Sequence, residues 1–320
     1  MLQPTQYDIA RLTGLSQATI SRALRGDASV QPQTRARIMA ACATLNYRPS
    51  MGARILAEGQ RAIIGISLSR DALPTDRYVT ILHQSLLKEL GASGWGVTLL
   101  AADELEAGLA GVGAVILIGV NEDDARLALC RSLGVPLVAI GYVDDPQVFC
   151  VIPDDDGGAR MVVRHFHALG RRHFAIMSSY ATGHGPAMSR RARAATDEAR
   201  ALGLSVTRID ALADVTHTLS GYRTVLRGAA LLADADCLFC DSDEHALGAV
   251  RALADLDIAV PATISVAGFD DLPGLSRELT TIRQDFPAIA RAAIALTAEA
   301  RADDPARTVV VPVQLMLRRT

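Results

Sequence analysis

From Ala62 onward the chain alternates short, almost uninterrupted apolar runs with amphipathic stretches, and nothing else in it limits the possible folds so tightly. The runs are Ile63–Leu68, Val97–Leu100, Ala114–Ile118, Leu137–Ile140, Phe174–Met177, Val206–Ile209, Cys237–Phe239 and Ile264–Ala267. A strand with one wet face alternates apolar and polar residues, so a continuous apolar run means burial on both faces. Helical stretches between successive runs supply the crossovers that parallel strands require. Two such series predict an α/β body of two doubly wound parallel-sheet lobes. In such sheets ligands bind beyond the carboxyl ends of the strands, and two facing lobes turn that edge into a cleft.

The first sixty residues follow a different rule. Ala10, Gly14 and Ile20 have the spacing of two short helices that cross at a tight turn, with a small residue under the crossing, a glycine for positive φ and an apolar residue facing the core. Ser16 suits the N-cap of the second helix, and Thr5 with Asp8 forms a capping box for the first. Pro32, followed by Ile38, Met39, Ala41, Cys42 and Leu45, predicts a third helix that ends before Asn46–Pro49. The expected organisation is an all-α helix-turn-helix head over residues 1–49, a hinge helix and linker over 50–61, and a body over 62–320. The hinge helix is too short to be stable without a partner. Within the body, 62–157 with 286–304 is expected to form one lobe and 158–285 with 305–320 the other.

The net charge of −3 is unevenly spread, with +4 on the first sixty residues and −7 on the rest. A basic head on an acidic body fits a DNA-binding module joined to a part that does not bind DNA, because phosphate contacts need positive charge locally. Half of the residues are hydrophobic, which excludes a disordered chain. No run approaches the ~20 apolar residues of a membrane span and no leader pattern opens the chain, so a cytoplasmic location is expected. The cysteines, Cys42, Cys130, Cys150, Cys237 and Cys240, are an odd set, which argues against a disulfide framework. Cys237 and Cys240 sit three apart on one predicted strand and point to opposite faces, so burial accounts for them better than a metal or redox pair.

Tyr7–Leu24, Thr34–Ile38, Leu45–Pro49 and Ala53–Leu56 closely resemble the head and hinge of the lactose-repressor (LacI/GalR) family of bacterial transcriptional regulators. Gly158–Ala159, Ala168–Ile176, Phe239–Gly248, Ser265–Asp271 and Leu279–Phe286 extend the resemblance through a periplasmic-binding-protein-like body. The resemblance implies a homodimer on a pseudo-palindromic operator in double-stranded DNA, contacted by Thr5, Tyr7, Ser16, Gln17, Ala18, Ser21, Arg22, Asn46, Arg54 and Leu56. Gln17, Ala18 and Arg22 match the base-reading positions, and their chemistry agrees. Arg22 suits a bidentate contact to guanine, Gln17 one to adenine, and Ala18 an apolar contact to a thymine methyl. A phosphate contact is the alternative for Gln17. Leu56 matches a wedge that enters the minor groove and unstacks the duplex. Because Leu315–Thr320 follows a predicted strand with no heptad segment, a dimer is expected rather than a tetramer.

The effector pocket implied by the resemblance falls on Tyr78, Asp154, Arg191, Thr216, Ser242, Asp243, Asp270 and Phe286, with Asp155 as the alternative to Asp154. Carboxylates and guanidinium groups give charge-assisted, bidentate bonds to adjacent hydroxyls, which is the logic of a sugar site. The chain departs from the family at Ser242, where Asn is usual, at Ala194–Ala195 and at Asp76–Val79. Arg190, Arg191 and Arg193 cluster in sequence, and Arg77 is expected at the opposite cleft edge. A sugar phosphate or sugar acid therefore competes with a neutral sugar, unless Arg190 and Arg193 lie on a solvated helix face. Asp154–Asp156 read as helix capping plus one ligand contact rather than a metal site.

No nucleophile, base and orienter occur at a recognisable spacing, so no enzymatic activity, cofactor or metal is expected. The predicted function is a DNA-binding transcriptional regulator, a repressor, whose operator affinity is controlled by a small effector. The alternative is a solute-binding or sugar-modifying protein on the same scaffold. The first of these would carry a secretion signal and no basic head.

Overall fold

The computed structural model describes residues 6–24, 30–45, 63–69, 77–109, 111–120, 124–179, 185–212, 216–275, 277–300 and 306–320. The chain divides into two compact units, a head of Met1–Ala62 with Ser93–Trp95 and a body of Ile63–Ala92 with Gly96–Thr320.

The head has three helices, α1 (Gln6–Thr13), α2 (Gln17–Leu24) and α3 (Pro32–Thr44). Gly14 turns the chain between α1 and α2 at φ +66°, a left-handed conformation that costs a residue with a Cβ about 1 kcal/mol or more. Ser16 Oγ accepts from the Thr19 amide at 3.2 Å, which opens α2 as its sequence suggests. Arg37 Nη2 donates to the Thr13 carbonyl at 2.7 Å and closes the end of α1. Ile9, Ile20 and Ile38, one from each helix, are fully buried against one another's neighbours Ala23, Val30, Ala41 and Cys42. At roughly 1.5–3 kcal/mol per buried isoleucine, these three supply much of the apolar stabilisation of so small a core. Thr5, Asn46, Arg54, Leu56 and the expected hinge helix lie outside the described residues.

The first part of the body runs β1 (Ile63–Leu68), α4 (Arg77–Ser93), β2 (Gly96–Leu100), α5 (Leu105–Leu109), β3 (Ala114–Ile118), α6 (Ala125–Ser132), β4 (Leu137–Ile140) and β5 (Phe149–Pro153). It continues with α7 (Asp155–Ala168), β6 (His173–Ser178), α8 (Gly185–Ala201), β7 (Ser205–Asp210), α9 (His217–Arg227), β8 (Cys237–Cys240), α10 (Asp243–Asp255) and β9 (Ser265–Ala267). The last elements are β10 (Thr281–Gln284), α11 (Phe286–Glu299), β11 (Thr308–Val311) and β12 (Val313–Met316). One six-stranded sheet has the order β11-β5-β4-β3-β1-β2 and one four-stranded sheet the order β7-β6-β8-β9, with every neighbouring pair parallel. These are the two doubly wound sheets that the apolar runs require. β10 and β12 form a separate antiparallel pair.

Two strands of the first sheet, β5 and β11, are not among the sequence-predicted runs. Pairing of β11 with β5 places Thr308–Val311 on the first sheet, whereas residues 305–320 are expected from sequence in the second lobe. β12 pairs with β10, and Arg318 and Thr320 after it bond to Leu279 and Thr280, so the chain from Val313 onward returns to the second lobe. The edge strand β11 is half exposed, so it lacks the continuous burial by which the central strands were recognised.

Cys237 and Phe239 face one core cluster, with Phe166 and Phe174, while Leu238 and Cys240 face another, with Ile209 and Val266. That is the opposite-face placement the strand period requires. Two glycines fix the approach of α9 to α10. A Cβ on Gly221 would meet the His245 backbone, and one on Gly248 would meet the Thr218 carbonyl.

Candidate functional site

On the head, α2 is divided along its length. Ile20 and Ala23 are in the core, while Gln17, Ala18 and Arg22 are exposed and Ser21 is half-buried beside them. Helical spacing puts residues i, i+1, i+4 and i+5 on one face, so the expected reading set occupies a single solvent-facing strip. Arg22 Nε donates at 3.4 Å to the Ala18 carbonyl one turn back. Tyr7 on α1 is 66% exposed, far more than a core tyrosine, and is open to a phosphate or sugar. This arrangement suits a helix laid in a major groove.

In the body, the expected effector residues separate into two groups. Arg191, Asp270, Tyr78 and Phe286 come together. Arg191 is almost wholly buried on α8, with Nε donating to Asp155 Oδ1 at 2.6 Å. Its Nη1 donates to Asp270 Oδ1 at 3.0 Å and to the Asp241 carbonyl at 2.7 Å. The guanidinium lies 3.8 Å from the centroid of the Phe269 ring. Gly158 on α7 permits this packing, since a Cβ there would press on Phe269 at 2.9 Å. Gln284 Nε2 donates to the same Asp270 oxygen at 2.6 Å, and Tyr78 Oη donates to Gln284 Oε1 at 3.3 Å. Tyr78 and Phe286 meet edge to face, with centroids 5.3 Å apart.

Asp154, Thr216 and Ser242 do not join this cluster through any hydrogen bond among the described residues. Each is an N-cap, of α7, α9 and α10, accepting from the amides of Gly157, Leu219 and His245. Asp243 is pinned elsewhere. Its carboxylate accepts from the Leu272 amide at 2.7 Å and from the Thr281 hydroxyl, which ties α10 to the β9–β10 connection.

The electrostatics follow from burial. Desolvation drives the Asp155 carboxyl above its ordinary range and the Asp270 carboxyl well above it, with Arg191 pulling both back. For Arg191 burial disfavours the charge, but Asp155 and Asp270 outweigh it and hold the guanidinium protonated. Asp241 is disfavoured as an anion by burial, yet His245 and the Ser179 amide and hydroxyl carry it below its usual value.

Arg190 and Arg193 diverge. Arg190 donates to Asp156 Oδ2 at 2.8 Å and stacks 4.6 Å over Tyr142, whereas Arg193 is exposed with Arg200 and Arg208 in a separate groove. Two residues along a helix is a turn of about 200°, so Arg191 and Arg193 cannot share the cleft. Arg77 lies 4.0 Å from Glu244.

Sequence reasoning missed Gln284, Asp241, Phe269 and Arg126 as site-forming residues. Arg126, buried on α6, pairs with Asp124 and donates to the Ser67, Ile118 and Gly119 carbonyls at the carboxyl ends of β1 and β3. Ser242, His245 and Asp241 look like a hydrolytic triad, but both oxygens approach the same ring nitrogen, Nδ1, at 3.1 and 2.7 Å. A general base needs its acid on one nitrogen and its nucleophile on the other. Among the described residues no group of histidine, cysteine and acidic side chains is placed to hold a metal ion.

A helix-turn-helix with an open reading face, attached to a body of two parallel sheets, is the build of a DNA-binding transcriptional regulator. Residues 5–50 match the bacterial regulatory proteins of the lacI family, and residues 163–320 match the periplasmic binding protein-like domain. The lactose operon repressor of Escherichia coli K12 is 30% identical over 301 residues, covering 88% of this chain and 80% of the relative. The HTH-type transcriptional regulator MalR of Streptomyces coelicolor is 31% identical over 323 residues, covering 93% and 90%. Among solved structures, the lac repressor dimer bound to operator and the anti-inducer ONPF has the same fold. It has a TM-score of 0.69 at 23% identity, over 100% of this chain and 99% of that one. The chain belongs to the LacI family and is a DNA-binding transcriptional repressor. No helix among the described residues is long and apolar enough to cross a membrane.

Proposed function

We propose that this repressor binds a pseudo-palindromic operator as a homodimer, in the cytoplasm, and that a small neutral polyhydroxy molecule in the cleft around Arg191 sets its operator affinity. One observation carries the effector class: apart from Arg193, which lies in a separate groove, every arginine expected at the cleft faces a carboxylate. Arg191 has Asp155 and Asp270, Arg190 has Asp156, and Arg77 has Glu244. A ligand phosphate at Arg191 would have to displace Asp155 and Asp270 and strand two buried carboxylates. Sugar hydroxyls, by contrast, donate to the acids and accept from the guanidinium at once. Tyr78 and Phe286 supply the apolar wall. Solved relatives described as a CelR–cellobiose complex and as a regulator in complex with lactose support the same class.

On the DNA side, Arg22, Gln17, Ala18 and Ser21 read base edges, Tyr7, Thr5, Ser16, Asn46 and Arg54 hold the backbone, and Leu56 wedges the operator centre. The coupling is one of linkage. An effector that favours one arrangement of the lobes changes operator affinity by ~1–3 kcal/mol. The Nδ1 arrangement at His245 supports a protein that binds its ligand without turning it over.

The test is a thermal-shift panel of neutral sugars, sugar phosphates and sugar acids, followed by anisotropy on operator DNA that the protein itself selects. Neutral sugars are expected to stabilise the protein and to shift operator affinity. Stabilisation by anionic sugars alone, abolished in Arg191→Lys, would overturn the assignment.

A further inference from the structure

A second pocket, of about 420 Å³, lies between the loop after Asp270, the strand β10 and the C-terminal Arg318. Its charge is the reverse of the Arg191 site. Three guanidinium groups, from Arg277, Arg283 and Arg318, line it with a single carboxylate, Asp271. Asp271 accepts from Arg283 Nε at 2.7 Å and from Arg318 Nη2 at 2.6 Å. Arg277 is exposed and has no ion pair or hydrogen bond among the described residues.

The geometry of the chain explains how one turn serves two opposite sites. Asp270 and Asp271 both have positive φ, +114° and +52°, which turns adjacent carboxylates apart. Asp270 enters the buried cluster with Arg191, and Asp271 enters the arginine pocket. Arg318 is held by a further bond from Nη1 to the Leu279 carbonyl at 2.9 Å, so its fork is fixed before any ligand arrives. Phe286 and Leu272 give the pocket an apolar side.

We infer that this pocket, which borders the Arg191 cleft at Gln284 and Phe286, binds a small phosphorylated metabolite. The phosphate sits among Arg277, Arg283 and Arg318, where planar forks match its oxygens, and the carbon skeleton rests on Phe286. The volume falls within the ~300–1,000 Å³ of small-molecule sites. Unlike the cleft arginines, this set has positive charge to spare: Arg277 has no carboxylate partner among the described residues, so an anion can enter without displacing Asp271 from Arg283 and Arg318.

The experiment is calorimetric titration of the full chain with ribose 5-phosphate, ribose and inorganic phosphate at constant ionic strength. Ribose 5-phosphate is expected to bind once per chain, inorganic phosphate to compete with it, and ribose not to compete. Arg277→Gln and Arg283→Gln are each expected to weaken it about 10-fold, the loss of one charge-assisted contact. Both side chains are exposed, so circular dichroism should show both variants folded. Arg193→Gln, in a separate groove, is expected to leave the affinity unchanged. Undiminished binding in both pocket variants, or displacement by sodium chloride at matched ionic strength, would overturn the inference. Loss in Arg191→Lys alone would overturn it too, and would move the anion to the cleft.

Discussion

Arg191 and Gln284, on separate elements of the body, donate to one and the same oxygen of Asp270, at 3.0 and 2.6 Å. Asp270 is thus a shared acceptor that is buried, held at positive φ and disfavoured as an anion by its burial. Arg191→Met leaves Asp155 and Asp270 buried without their cation and is expected to cost about 3–5 kcal/mol in urea unfolding. Arg191→Lys keeps the charge but loses the fork. It should unfold at higher urea than the Met variant while binding effector at least ~10-fold more weakly than the parent. Equal stability of the Met and Lys variants would argue that a charge without the fork contributes nothing.

Tyr78→Phe removes the hydroxyl that reaches Gln284 but preserves the edge contact with Phe286. A long neutral hydrogen bond contributes about 0.5–1.5 kcal/mol, so effector affinity in calorimetry should fall by roughly 2- to 10-fold. The same bond joins the two side chains without effector, so the melting temperature of the free protein should fall by a few degrees as well.

Burial pushes the Asp243 carboxyl up to about 7, while the Thr281 hydroxyl and Leu272 amide draw it down. In the unfolded chain it titrates near 3.8, so folding takes up a proton between these values. The stability this group contributes is therefore full below about pH 4 and is lost as pH rises toward 7. Buried Asp155 and Asp270 tilt the same way, so the comparison of parent with Asp243→Asn isolates one group. The variant is expected to show a shallower fall in urea midpoint from pH 4 to 7. A parallel pair of curves would contradict the assignment.

Gly248→Ala drives a methyl group into the Thr218 carbonyl across the α9–α10 contact. Neither backbone has room to retreat, and overpacking of this kind costs about 1–3 kcal/mol. The loss should appear in unfolding of the body, while the isolated recognition surface of the head is untouched.

Arg22→Ala is expected to cost about 1–3 kcal/mol on operator and to relax base preference at its position. Leu56→Ala should weaken operator binding far more than binding to random DNA, because a wedge acts only where the duplex is bent open. Gel-shift titrations on both DNAs separate the two effects. Equal losses on operator and random DNA would refute the wedge.

Local chemistry determined much of this protein in the sequence itself. Ala10, Gly14 and Ile20 specify two crossed helices because a turn of positive φ and a small crossing residue are nearest-neighbour demands. The central strands declare themselves by runs apolar on both faces, and the cysteine pair by a period of two. Even the divergence of Arg193 from Arg191 was available from the helical period. What the tertiary structure alone decided is partnership between distant residues. Nothing local tells that Arg191 meets Asp155, Asp270 and the ring of Phe269, that Asp243 holds the Leu272 amide and the Thr281 hydroxyl, or that Asp270 and Asp271 turn apart to pair with different arginines. The half-exposed edge strand β11 belongs in the same class, since its place on the first sheet depends on β5 far earlier in the chain. Charge, burial and pairing are properties of the assembled neighbourhood, and they decide which arginines remain free to take an anion.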